Sequence, residues 1–127
     1  MKIDLHCHTK NTKNKESDLR NVSVEKFKVM VEHSEVKFLA ITNHNCFFKD
    51  NYKELKEAVK DLCYVIPGIE LDVEGINKSR GHIILIANPD DVDDFEKRVN
   101  QITKDFTPDN FIIGSHELYD VKVNIKM

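Results

Sequence analysis

The run VKFLAIT at residues 36–42 is the feature that most restricts the fold of this chain. It is nearly continuously apolar and rich in strand formers, which marks a strand covered on both faces, as in a parallel sheet. Such a sheet needs crossover helices, and the flanking segments supply them. Ser23 is an N-cap candidate for VEKFKVMVEH, where Phe27, Met30 and Val31 recur at helical spacing. A second helix fits 50–62, with Tyr52, Leu55, Val59 and Leu62 at intervals of three and four. CYVI at 63–66 reads as the third strand, stopped by Pro67-Gly68. Beyond it, IELDV and HIILIA flank the turn-rich EGINKSRG and predict an antiparallel hairpin with a long loop. Asn88 then caps a helix with Pro89 in its first turn and acidic residues suited to the positive helix end. Val92, Phe95, Val99 and Ile102 form its apolar stripe.

With a short first strand in MKIDL, ending near Leu5, the order is β-α-β-α-β-β-α. The class is α/β, with right-handed crossovers between the early parallel strands. The 127 residues make one modest domain, 1–127. Within it, 107–127 is an atypical tail, open between a short strand, a helix and a frayed end. Its last residues alternate Val121, Val123 and Ile125 with polar neighbours, which suits an edge strand. A hydrophobic share of 40% against 32% charged favours a folded chain over a disordered one. The net charge of -3 leaves no overall basic footprint for nucleic acid. Apolar runs such as IILIA at 83–87 are far too short to cross a membrane, and no N-terminal signal pattern is present. Cys7, Cys46 and Cys63 are an odd number without CxxC spacing, which fits reduced thiols in a cytoplasmic protein.

Three polar clusters fall just after successive strands: HCH at 6–8, TNHN at 42–45 and PGIE at 67–70. In parallel α/β architectures, sites assemble where loops converge at the carboxyl ends of strands. His6 and His8 share a face with Cβ atoms about 6.5 Å apart. Imidazole nitrogens ligate metal at about 2.0–2.1 Å, so both rings can reach one ion. Cys7 alternates to the opposite face and belongs to the core. His44 by itself is a weak signal, since a lone histidine after a strand is more often structural; beside it, Asn43 and Asn45 are neutral and suited to orienting its ring by hydrogen bonds. Glu70 follows Pro-Gly at a strand end, where an ordinary surface glutamate is the plain reading; a carboxylate is nonetheless what a site with several cations needs, because it can bridge two of them. His82 opens an apolar run, where a packed core histidine and a ligand are near-equal readings. His116 in GSHE divides evenly between ligand and surface residue. His33 sits near a helix C-terminus, interacts with the helix dipole and is excluded from the site. The lysines between Lys10 and Lys15 form a solvated basic loop, placed to meet phosphates if a metal site lies beside it.

DLHCHT, AITNHN, VIPGIELDV and GHIILIA resemble, in order and spacing, the motifs of the PHP (polymerase and histidinol phosphatase) domain superfamily over nearly the first 90 residues. The resemblance implies a distorted (β/α)7 barrel, of which this chain resembles the amino-terminal half. It implies a cluster of up to three divalent metal ions, zinc, manganese or iron. His6, His8, His44, Glu70 and His82 match the family's ligands, with Glu70 bridging two metals, and His116 loosely matches a later histidine. His44 and Glu70 are the candidate catalytic residues. The implied activity is metal-dependent hydrolysis of phosphate esters, with nucleotides or nucleic acid among the substrates. The departures are Asn43, where the family usually has Asp, a first loop offering only Glu16 or Asp18 as a further ligand, and the absence of a closing Asp-x-His. An open half-barrel leaves a sheet edge unpaired, to be capped by the tail, by a homodimer or by a protein partner. The alternative function is therefore a catalytically impaired metal-binding or protein-interaction module.

Overall fold

A computed structural model describes residues 1–10, 21–75, 77–105 and the backbone of 113–114. The elements are β1 (Lys2–Cys7), α1 (Val24–Ser34), β2 (Val36–His44), α2 (Lys49–Ala58), β3 (Tyr64–Glu74), β4 (Arg80–Ile86), α3 (Val92–Thr103) and β5 (Ile113–Gly114). The sheet runs β1-β2-β3-β4, with β1, β2 and β3 parallel and β4 antiparallel to β3. β5 is parallel to the far end of β3, at Val73 and Glu74. The result is an α/β domain whose mixed sheet curls into a half-barrel.

Local chemistry accounts for most boundaries. Ser23 caps α1, its hydroxyl accepting from the Lys26 N–H at 3.1 Å. The helix ends on Glu35 in the left-handed conformation (φ 60°), whose N–H donates to the Val31 carbonyl. The chain passes straight from there into β2. Asn88 accepts from the Asp90 N–H at 2.9 Å, but the turn it caps is a 3-10 turn, Pro89–Asp91, that leads into α3. Helix α2 is shorter than the 50–62 expected: it stops at Ala58, and Val59 closes it as the C-cap.

One core cluster joins the sheet to all three helices. Phe27 and Val31 of α1, Tyr52 and Leu55 of α2, and Val99 and Ile102 of α3 meet Leu39, Ile41, Val65, Ile69, Leu71 and Val73. Phe95 packs edge-on to Phe47, with ring centroids 5.0 Å apart. The Tyr52 hydroxyl is kept out of water by donating to the Val65 carbonyl at 3.1 Å. Lys49 pairs with Asp93 at 2.8 Å and ties the start of α2 to α3. Met30 does not join the core as its spacing suggested and is 48% exposed.

Pro67-Gly68 does not stop β3. The strand passes through it and runs 11 residues from Tyr64, so YVI and IELDV belong to one strand. The peptide bonds are trans and Gly68 is not at positive φ, so the pair stays extended. Gly68–Ile86 is the last pair of the β3–β4 ladder, and Pro67 lies one residue past it, where a missing N–H costs least. The Pro67 carbonyl still accepts from Ala87 at 3.0 Å. Gly68 is required by close approach: a Cβ there would sit 2.8 Å from both the Leu85 carbonyl oxygen and Thr42 Cγ2. The first strand also outruns expectation, continuing through His6 to Cys7. Among the described residues, no helix is long and apolar enough to cross a membrane.

Because the obstructing atom at Gly68 is backbone, Gly68→Ala is expected to destabilise the fold by about 2 kcal/mol. Urea denaturation measures this as a lower midpoint with an unchanged slope.

Candidate metal centre

The parallel registers set the end of β2 beside the middle of β3. His44 on β2 lies directly beside Glu70 on β3, and His6 lies at the end of β1, the next strand outward. From the other side, the β3–β4 hairpin sets His82 opposite Asp72, two residues beyond Glu70 on the same face. Four rings form an arc: His6 to His8, His8 to His44 and His44 to His82, with centroids 4.9, 4.4 and 5.9 Å apart.

Glu70 is the centre of this arc. It is 3% exposed, whereas the outer rings His6 and His82 are each about half exposed. Oε1 faces His6 Nε2 at 2.6 Å. Oε2 pairs with His44 Nδ1, and His82 Nδ1 and His8 Nε2 lie 3.5 and 3.8 Å from it. Although so closely surrounded, Oε2 is buried with no hydrogen-bond partner of proper geometry. Burying a carboxylate this way is costly unless positive charge is held against it. The nitrogens of His6 and His8 also face each other at 3.1 Å. Donors about 2.0–2.2 Å from a tetrahedral ion are about 3.3–3.6 Å apart; the His6–His8, His82–Glu70 and His8–Glu70 separations of 3.1, 3.5 and 3.8 Å lie near this, and the His6–Glu70 and His44–Glu70 contacts are shorter. The donor set therefore fits divalent cations, in two groups: His6, His8 and Glu70, and His44, Asp72 and His82.

Five of the six residues singled out in the sequence, His6, His8, His44, Glu70 and His82, converge here. His116 lies outside the described residues, as do Glu16, Asp18 and the tail strand at 121–125. His82 is not a packed core histidine, since its side chain is 51% exposed. Cys7 is not a ligand: it packs against the core, and burial, with Asp4 and Cys63 adding, pushes its thiol up to about 11.

Sequence reasoning missed Asp72. The available signal was the spacing Glu-x-Asp on a strand, which shares the logic of His-x-His. It was also mistaken about the asparagines. Asn43 accepts from the Thr9 and Lys10 N–H groups at 2.8 and 2.9 Å and donates to the Thr9 hydroxyl at 3.0 Å. It thus fixes the backbone that follows the His6–His8 pair rather than the ring of His44. An aspartate at this position would keep the acceptor oxygen that these two N–H groups need. Asn45 bonds Asp72 through both side-chain atoms. A cleft of about 630 Å³ opens nearby, lined by Lys10, Phe48, Lys49, Asn51, Glu54 and Glu96 among others. Lys10 is two residues past His8 and lies 5.7 Å above the Phe48 ring.

No protein-family model matches this sequence, and no curated protein matches it.

Asn43→Ala leaves two N–H groups without their acceptor, one of them on fully buried Thr9. The expected loss is about 2–4 kcal/mol in denaturant unfolding. Asn43→Asp keeps the acceptor and is expected to lose less than half as much.

Proposed function

We propose that this chain is a PHP-type domain that binds divalent cations at the Glu70 cluster and hydrolyses phosphate esters with them. The observation that carries the reading is the buried Glu70 carboxylate, which turns one oxygen to His6 and the other to His44, His8 and His82. A carboxylate so placed suits a bridge between two cations, as the resemblance to the PHP family implies. When bound, such ions lower the pKa of water and stabilise charge on a phosphoryl oxygen. His6 and His8 would hold one ion with Glu70, and His44 and His82 would hold another. Zinc, manganese and iron are the candidates. Lys10 supplies a cation at the edge of the adjacent cleft, suited to a phosphate oxygen, and the Phe48 ring beneath it offers an apolar wall.

A second reading, a protein-interaction module, is favoured by the apolar residues on the two outer strands. Ile3 and Leu5 on β1 and Ile84 and Ile86 on β4 are 58%, 42%, 37% and 45% exposed. Light scattering separates the readings: self-association that Ile3→Lys abolishes would support the second.

The primary test is metal content by inductively coupled plasma mass spectrometry on protein purified without chelator or tag metal. Near-stoichiometric metal is expected in the wild type, with at least half lost in His6→Ala and nearly all in Glu70→Ala. Hydrolysis of p-nitrophenyl phosphate is expected to fall by at least about 100-fold in Glu70→Ala. A wild-type chain that takes up no zinc, manganese or iron even after reconstitution would refute the proposal.

A further inference from the structure

We infer that Asp72 is a ligand of the second cation and that Asn45 is the residue that positions it, an extension that rests on the metal-binding reading above. Two divalent ions bring four positive charges, and neutral imidazoles offset none of them. With Glu70 alone the two groups would carry, among the described residues, a single compensating charge. Asp72 doubles it from the same face of the same strand, two residues further on.

Its placement is built rather than incidental. Asp72 sits directly across the β3–β4 ladder from His82, and Asp72 Oδ1 lies 3.0 Å from His82 Nδ1. That same nitrogen is 3.5 Å from Glu70 Oε2, so His82 faces both carboxylates at once. The ligand atoms that His44, Asp72 and His82 offer all fall within 4.8 Å of one another. This group draws its three residues from β2, β3 and β4.

Asn45 holds the carboxylate in this position. It follows His44 immediately and turns out of β2 at φ 56°, a left-handed conformation that asparagine tolerates better than most residues. The turn lets its own N–H donate to the Glu70 carbonyl at 2.7 Å and points its side chain at Asp72. There the amide oxygen accepts from the Asp72 N–H at 3.1 Å, and the amide nitrogen donates to Asp72 Oδ2 at 3.2 Å. Oδ2 is thereby occupied, and Oδ1 is presented to the cluster beside His82. An aspartate at position 45 would lose this donor and set a like charge against Asp72. The neutral amide is therefore required by this role, and Asn45 acts through Asp72 without touching the ion.

The test is a cobalt(II) titration of the metal-stripped full chain, read by visible absorption and by bound metal per chain. The wild type is expected to take two ions. Asp72→Ala is expected to take one, with loss of the absorption contributed by the second. Asn45→Gly keeps the left-handed turn and is expected to retain two ions, the second bound about 10-fold or more weakly with a shifted spectrum. Far-UV circular dichroism establishes that each variant is folded. If Asp72→Ala is unfolded, the Asn45→Gly titration alone decides. Wild-type binding in the variants, in number and affinity, would overturn the inference while leaving the metal centre intact. One ion in both the wild type and Asp72→Ala would overturn it equally. No cobalt in the wild type would overturn the metal reading itself, and this extension with it.

Discussion

Everything in this molecule depends on the alternation of one strand, β3. Its odd positions, Val65, Ile69, Leu71 and Val73, are buried in the core under the helices. Its even positions carry Glu70 and Asp72 to the opposite face. A strand with period two can serve an apolar core and a charged site at once only if its register on both sides is exact to the residue. A slip of one place would bury two carboxylates in the core and expose four aliphatic side chains. Gly68 enforces that register, since only a residue without Cβ allows the neighbouring strands to approach so closely at that point. Stability and chemistry are therefore coupled through the same backbone.

The electrostatics of the cluster follow from this arrangement. Glu70 is buried because β2 and β4 flank it, while the rings around it become more exposed towards β1 and β4. A buried carboxylate ringed by half-exposed imidazoles is unfavourable as a purely structural feature, because a hydrophobic residue would fill the space at lower cost. The same arrangement is economical for a group that must be reached from solvent and must meet positive charge. Positioning amides complete it: Asn43 holds the backbone after His8, and Asn45 holds Asp72. Both lie on the stretch that carries His44, so one short segment at the end of β2 contributes a ring and two supports.

Much of the site was legible because its signals are local. His6 and His8 at i and i+2 and His44 after an apolar run mark strand ends without knowledge of the neighbours, whereas Glu70 stood out by its place after Pro-Gly although it lies inside β3. Asp72 was not legible in the same way. An aspartate inside a hairpin sequence looks like ordinary strand polarity until the register sets it opposite His82. Asn43 and Asn45 were recognised as supports, but their targets were misassigned, since the chain segment an amide reaches is a long-range property. Asn43 bonds residues more than thirty positions earlier, and Asn45 bonds one 27 positions later.

The sequence by itself determined the α/β class, the order of elements apart from the break it placed inside β3, and the caps at Ser23 and Asn88. These rest on periodicity and on single side chains bonding nearby backbone, and both are short-range. Tertiary structure decided that Pro67-Gly68 lies inside a strand rather than at its end. Turn propensity was outweighed there by pairing on both sides of β3. Tertiary structure also left Met30 in solvent and brought Asp72 into the cluster. Strand register and the position of a neighbouring helix are set by contacts between distant segments, and no local pattern encodes them.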